Sequence, residues 1–113
     1  MLRIAARYAD AYNAIWPVTP AEVAAQRARL VAACADVGRD PATLDLTVGT
    51  FVHLPEHGRP VADDRAISGT EEEIAAQLRV FADLGVRHLI VDFRPDISVQ
   101  AIEDFGRVLA LAK

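Results

Sequence analysis

Apolar and polar positions alternate along this chain with two different periods, and the order of those periods predicts its architecture. Leu2, Ala5, Ala6 and Ala9 recur at helical spacing, with Arg3 and Arg7 on the opposite side, so residues 2–9 read as an amphipathic helix. Residues 11–15 follow as a short strand that Pro17 ends. Thr19-Pro20-Ala21-Glu22 has the spacing of a reciprocal capping box with proline at the first helical position. The helix it starts runs to about Val37, with Val23, Leu30, Val31, Cys34 and Val37 as its expected buried stripe and Gly38 as its stop. Arg39-Asp40-Pro41 then turns the chain into a second strand, residues 44–54, which alternates Leu44, Leu46 and Val48.

The same signals recur in Ser68–Phe93. Thr70 and Glu73 form a second capping-box pair, and Glu71, Glu72 and Glu73 crowd the first turn, where the positive end of the helix dipole favours carboxylates. Ile74, Leu78, Phe81 and Ala82 share one stripe, and Gly85 suits a left-handed stop. The uninterrupted run Leu89-Ile90-Val91 is expected to be a strand covered on both faces. Asp96 or Ser98 caps a last helix whose stripe is Ile102, Phe105, Val108 and Leu109.

The predicted order is therefore α-βα-βα-βα with three parallel strands, an α/β arrangement. The strands open near Ala11, Leu44 and Val86, spacings close to one unit of a (β/α)8 barrel of ~250 residues. Three strands cannot close a barrel, so residues 1–113 read as one segment of a partial TIM barrel with open edges and an open inner face. On that reading Met1 is expected to be an internal start or an artificial boundary.

Composition narrows the partners. A net charge of −4 gives no basic footprint for nucleic acid or an anionic membrane. No apolar run approaches the ~20 residues of a membrane span, and the first residues lack a signal-peptide core. The single cysteine excludes an intramolecular disulfide and predicts a cytoplasmic setting. Its place on a helical stripe predicts a buried thiol that packs as a small apolar group.

Active sites of barrels sit at the C-terminal ends of the strands. That rule selects Asn13 and Trp16, then Phe51 and His53, then Asp92, Phe93 and Arg94, of which Asn13, Trp16, His53, Asp92 and Arg94 are the candidate substrate-pocket residues. The loop from Pro55 to Ser68 exceeds the usual two to six residues of a βα connection. Such a loop covers a substrate or is simply solvated. His53, His57, Asp63 and Asp64 fit no standard metal spacing, so no metal site is expected. His88 opens a strand, on the structural face of a barrel. The amides at Gly69 and Thr70 are the candidate coenzyme-phosphate site, although the capping box already uses part of them.

Four stretches in order resemble one family. Residues 2–13, LRIAARYADAYN, resemble the "lrlAaryaDgwn" segment of luciferase-like monooxygenases, and Gly38-Arg39-Asp40-Pro41 matches their "GRDP" turn. Residues 69–74, GTEEEI, resemble "GTPEEI", and residues 81–89 resemble "faelGvdhl". Glu71 stands where that family has proline, and Tyr12 departs from its glycine-tryptophan pair. The resemblance implies the C-terminal portion of a TIM-barrel oxidoreductase, usually dimeric, that uses FMN or an 8-hydroxy-5-deazaflavin coenzyme on a small-molecule substrate. It also implies an incomplete coenzyme site and no complete catalytic machinery, because the N-terminal strands carry most of the ring contacts in that family. Two other readings stand beside it: a small α/β binding or assembly module that forms a homo-oligomer through its open edges, and an inactive truncated product.

Overall fold

The computed structural model describes residues 1–14, 19–54, 66–93 and 98–113. In order they form α1 (Leu2–Tyr8), β1 (Ala11–Ala14), α2 (Pro20–Asp36), a 3-10 turn (Pro41–Thr43), β2 (Asp45–His53), β3 (Ile67–Ser68), α3 (Glu71–Asp83), β4 (Val86–Phe93) and α4 (Val99–Ala112).

The helix starts are built as their local sequence dictates. In α2 the Glu22 N–H donates to Thr19 Oγ1 while the Thr19 N–H donates to Glu22 Oε2 at 2.9 Å. In α3 the same exchange joins Thr70 and Glu73. Ser98 caps α4, accepting from the Ala101 N–H at 3.0 Å, while Asp96 lies outside the described residues. Gly38 (φ +71°) and Gly85 (φ +86°) take the left-handed conformation at the ends of α2 and α3 that side chains rarely adopt.

α1 has no side-chain cap, and its C-terminus is held from a distance. Arg39 Nη1 donates to the carbonyls of Ala6 (3.1 Å) and Ala9 (2.7 Å). Its Nε and Nη2 reach Thr43 Oγ1 and the Thr43 carbonyl. One planar guanidinium therefore joins the end of α1 to the 3-10 turn that launches β2. Only arginine offers donors in that fork.

All strand pairings are parallel. β2 is central, with β4 along Leu46–Val52 on one edge. Because a strand has two edges, β1, opposite Asp45–Val48, and β3, opposite Val52 and His53, must share the other edge end to end. β3 is a departure from the expected three strands. β1 ends opposite Val48, which leaves the far half of that edge unpaired, and Ile67–Ser68 take up part of it. At the start of β4 a bulge at Arg87 shifts the register between Leu46 and Thr47.

The helices cover one face only. Leu46, Val48 and Val52 of β2, Ala14 of β1 and Ile67 of β3 are buried in one cluster with Val23, Ile74, Leu78, Phe81, Phe105 and Val108 of the helices. The Phe93 and Phe105 rings meet edge to face there, with centroids 5.2 Å apart. A second cluster sets Ala6 of α1 against Leu30, Ala33 and Cys34 of α2 and Leu44. Cys34 is thus the buried thiol its stripe predicts.

Three burial expectations need correction. β4 is not covered on both faces, since Ile90 is 41% exposed and its neighbours Leu89 and Val91 are only half-buried. It pairs with β2 along one edge, and only its helix side is packed. In α2, Val31 is exposed and Ala33 is buried in its place. In α4, Ile102 (51%) and Leu109 (47%) are exposed, while Ala101 and Asp104 are buried. An apolar arc wider than the contact leaves its margin outside, and α4 is the last helix of the row.

α3 and α4 are also joined by charge. Arg107 Nη2 donates to Glu71 Oε1 at 2.9 Å and its Nη1 to Asp104 Oδ1 at 2.8 Å. Hydrogen bonding to Glu71, then to Asp104, raises the guanidinium pKa further above its usual value. Among the described residues no helix is long and apolar enough to cross a membrane.

Candidate functional site

Paired residues of a parallel sheet point to the same side, so the register decides which candidates share a face. On the face away from the helices the rows are Asn13–Thr47–His88, Gly49–Ile90, Phe51–Asp92 and His53–Ser68. Asn13, His53 and Asp92 all lie on this uncovered face. Trp16 and Arg94 lie outside the described residues, as do His57, Asp63, Asp64 and most of the long loop.

These candidates are not all brought together. Phe51 and Asp92 occupy one row, and His53 and Ser68 lie two residues further along β2 at its C-terminal end. That spacing is roughly 7 Å along the strand, so imidazole and carboxylate carriers stand on adjacent strands at one mouth. Asn13 belongs to the row of Thr47, roughly 13 Å below the Phe51–Asp92 row. Its amide oxygen accepts from Thr47 Oγ1 at 2.8 Å. The mouth therefore comprises Phe51, His53, Ser68 and Asp92, with Asn13 apart from it.

His53 is buried and Asp92 half-buried, and both have partners. Ser68 is fixed from below, since Gln77 Nε2 donates to its carbonyl at 2.8 Å. The mouth places a half-buried carboxylate and a half-buried aromatic ring beside the buried imidazole of His53. His88 is exposed on this same face in the row of Asn13. The period of two running His88, Ile90, Asp92 is the signal that assigns it there.

The start of α3 is already occupied by its own chain. The Thr70 N–H donates to Glu73 Oε2 at 2.7 Å, and Gly69 (φ +120°) lies so close that a Cβ there would collide with the same carboxylate oxygen. The capping box thus already uses the Thr70 and Glu73 amides, and the Glu73 carboxylate stands beside Gly69 where an anion would approach. A cavity of about 360 Å³ opens at the opposite end of the sheet, lined by Arg27, Asp40, Asp45, Gly85 and Arg87 among others. It lies among strand starts, away from the mouth.

No protein-family model matches this chain, and no curated protein matches it in sequence. Among solved structures, it is similar to an F420-dependent secondary alcohol dehydrogenase in complex with an F420-acetone adduct. That likeness has a TM-score of 0.77 and 11% sequence identity, and it covers 99% of this chain and 46% of the other. The chain thus spans about half the length of the structure it matches. What this likeness establishes is the fold: nearly all of the chain takes the course of part of that enzyme, with helices on one side of a parallel sheet.

Proposed function

We propose that this chain is the C-terminal portion of a luciferase-like oxidoreductase that works with a deazaflavin or FMN coenzyme. The observation that carries the reading is the placement of His53, Phe51 and Asp92 at strand ends on the uncovered face of this fold. In that role the coenzyme supplies the redox chemistry, and the chain's own groups bind and orient a small-molecule substrate beside it. In this reading His53 and Asp92 belong to the substrate pocket, and Asn13 lies on the same face in the row of Thr47. Gly69 and Thr70 receive a coenzyme phosphate only when the Glu73 carboxylate swings away.

Fluorescence titration of the chain with a deazaflavin and with FMN tests this. Saturable binding that His53→Ala and Asp92→Ala each weaken about tenfold, with an unchanged circular dichroism spectrum, supports it. Glu73→Gln should strengthen a phosphate-dependent part of that binding, because it removes the competing charge. Failure of the folded chain to bind either coenzyme rules out coenzyme work by this chain alone, and binding that neither His53→Ala nor Asp92→Ala weakens overturns the role given to this face. The second reading, an assembly module that forms a homo-oligomer, is favoured by a different observation, the sheet face and edges left open by the helices.

A further inference from the structure

The two outermost helices of the layer each turn an apolar stripe away from their neighbour. On α1, Ala6 packs toward α2, and the opposite side carries Met1, Ile4 and Tyr8 at 97%, 66% and 76% exposure. These fall at i, i+3 and i+7, one continuous stripe. On α4, Arg107 marks the side toward α3 through its bond to Glu71. The other side carries Val99, Ile102, Gly106 and Leu109, with Val99 74% exposed. Gly106 lies mid-helix, where it costs about 1 kcal/mol relative to alanine, and a Cβ added there meets nothing within 4 Å. The fold itself does not require that glycine.

We infer that these stripes are the two halves of one two-fold interface, in which α1 of each copy packs against α4 of a second copy, with Gly106 admitting the close approach. Two observations favour a second copy as the occupant. The chain matches 46% of a barrel enzyme's length, so two copies account for about nine-tenths of such a ring of helices. Finally, α1 carries Arg3 and Arg7 and no acid, while Glu103 flanks the α4 stripe. A two-fold axis uses both complementary contacts at once and leaves no stripe open. The inference does not depend on coenzyme binding.

The test is sedimentation equilibrium of the chain at micromolar concentration. A dimer of about 24 kDa is expected, twice the 12.2 kDa of one chain. Gly106→Arg, Ile4→Glu and Ile102→Lys each alter only exposed positions, and each should return the monomer with an unchanged circular dichroism spectrum. Mixing the Ile4→Glu chain with the Ile102→Lys chain should restore a dimer, because each heterodimer then has one charge-paired contact and one unaltered contact. A monomeric unaltered chain overturns the inference and leaves the stripes to a different polypeptide or to another segment of a longer one. A dimer indifferent to Gly106→Arg, or variants that are not rescued by mixing, also overturns it.

Discussion

Leu46, Val48, Thr50 and Val52 point to one side of β2 and are buried, whereas on the other side Thr47 and Phe51 are only half covered, Gly49 and His53 are buried, and Ile90 beside them on β4 is exposed. The helix side of β2 is mostly aliphatic, and the other side carries Asp45, Thr47, Gly49, Phe51 and His53. The neighbours differ as well. Three amphipathic helices bring Val23, Ile74, Leu78, Phe81, Phe105 and Val108 to one side. Apolar residues on that side gain about 1.5–3 kcal/mol each from burial, and an equal residue on the other side gains little. On β2 side-chain type follows this division, whereas on β4 the apolar Ile90 stays exposed on the side that no described helix covers.

Substitutions on the two faces sharpen the contrast. Val48→Asp puts an unpaired carboxylate into a fully buried site, and we expect loss of the cooperative melting transition by circular dichroism. Ile90→Asp, in the next row on the opposite face, should leave that transition within about 0.5 kcal/mol of the unaltered chain. Equal damage from both would break the comparison.

Arg39→Ala attacks the covered face at its margin, where one guanidinium makes two bonds to the end of α1 and two to Thr43. Urea denaturation should show a loss of about 2 kcal/mol, and Arg39→Lys should recover little because an ammonium cannot span the same acceptors. Hydrogen exchange in α1 should rise in both variants.

Thr50 offers a change of opposite sign. It is fully buried on the helix side, and its Oγ1 has no hydrogen-bond partner. Thr50→Val keeps the shape and removes the unsatisfied hydroxyl, so the urea midpoint should rise by the equivalent of about 1 kcal/mol. A fall would show that the hydroxyl is satisfied in solution.

The smallest effect is expected at Asn13→Ala, which removes an exposed acceptor while the Tyr12 carbonyl, at 3.5 Å from Thr47 Oγ1, remains nearby. A stability change of less than about 0.5 kcal/mol is expected in the same assay. A larger loss would mean that this row of the open face is ordered as tightly as the core.

How much of this was legible in the sequence depends on the range of the forces involved. The helix starts at Thr19 and Thr70, the stops at Gly38 and Gly85 and the α/β order were readable because capping and left-handed turns act within four residues. The Arg39 motif was visible, but its targets Ala6 and Ala9 are some thirty residues away and its purpose was not. Of the candidate mouth, His53 and Asp92 were found because each ends a strand. Asn13 satisfied the same rule and still lies roughly 13 Å below the Phe51–Asp92 row, because register is set by pairing between distant segments.

The sequence by itself determined the helices, the strands and their caps, since those rest on hydrogen bonds between near neighbours. Only the tertiary structure decided that Ile67–Ser68 would join the edge of β2 and that Ile4, Ile90, Ile102 and Leu109 would remain uncovered. Hydrophobic burial is non-directional, so an apolar stripe states that a surface seeks a partner and leaves the identity of that partner to the rest of the fold.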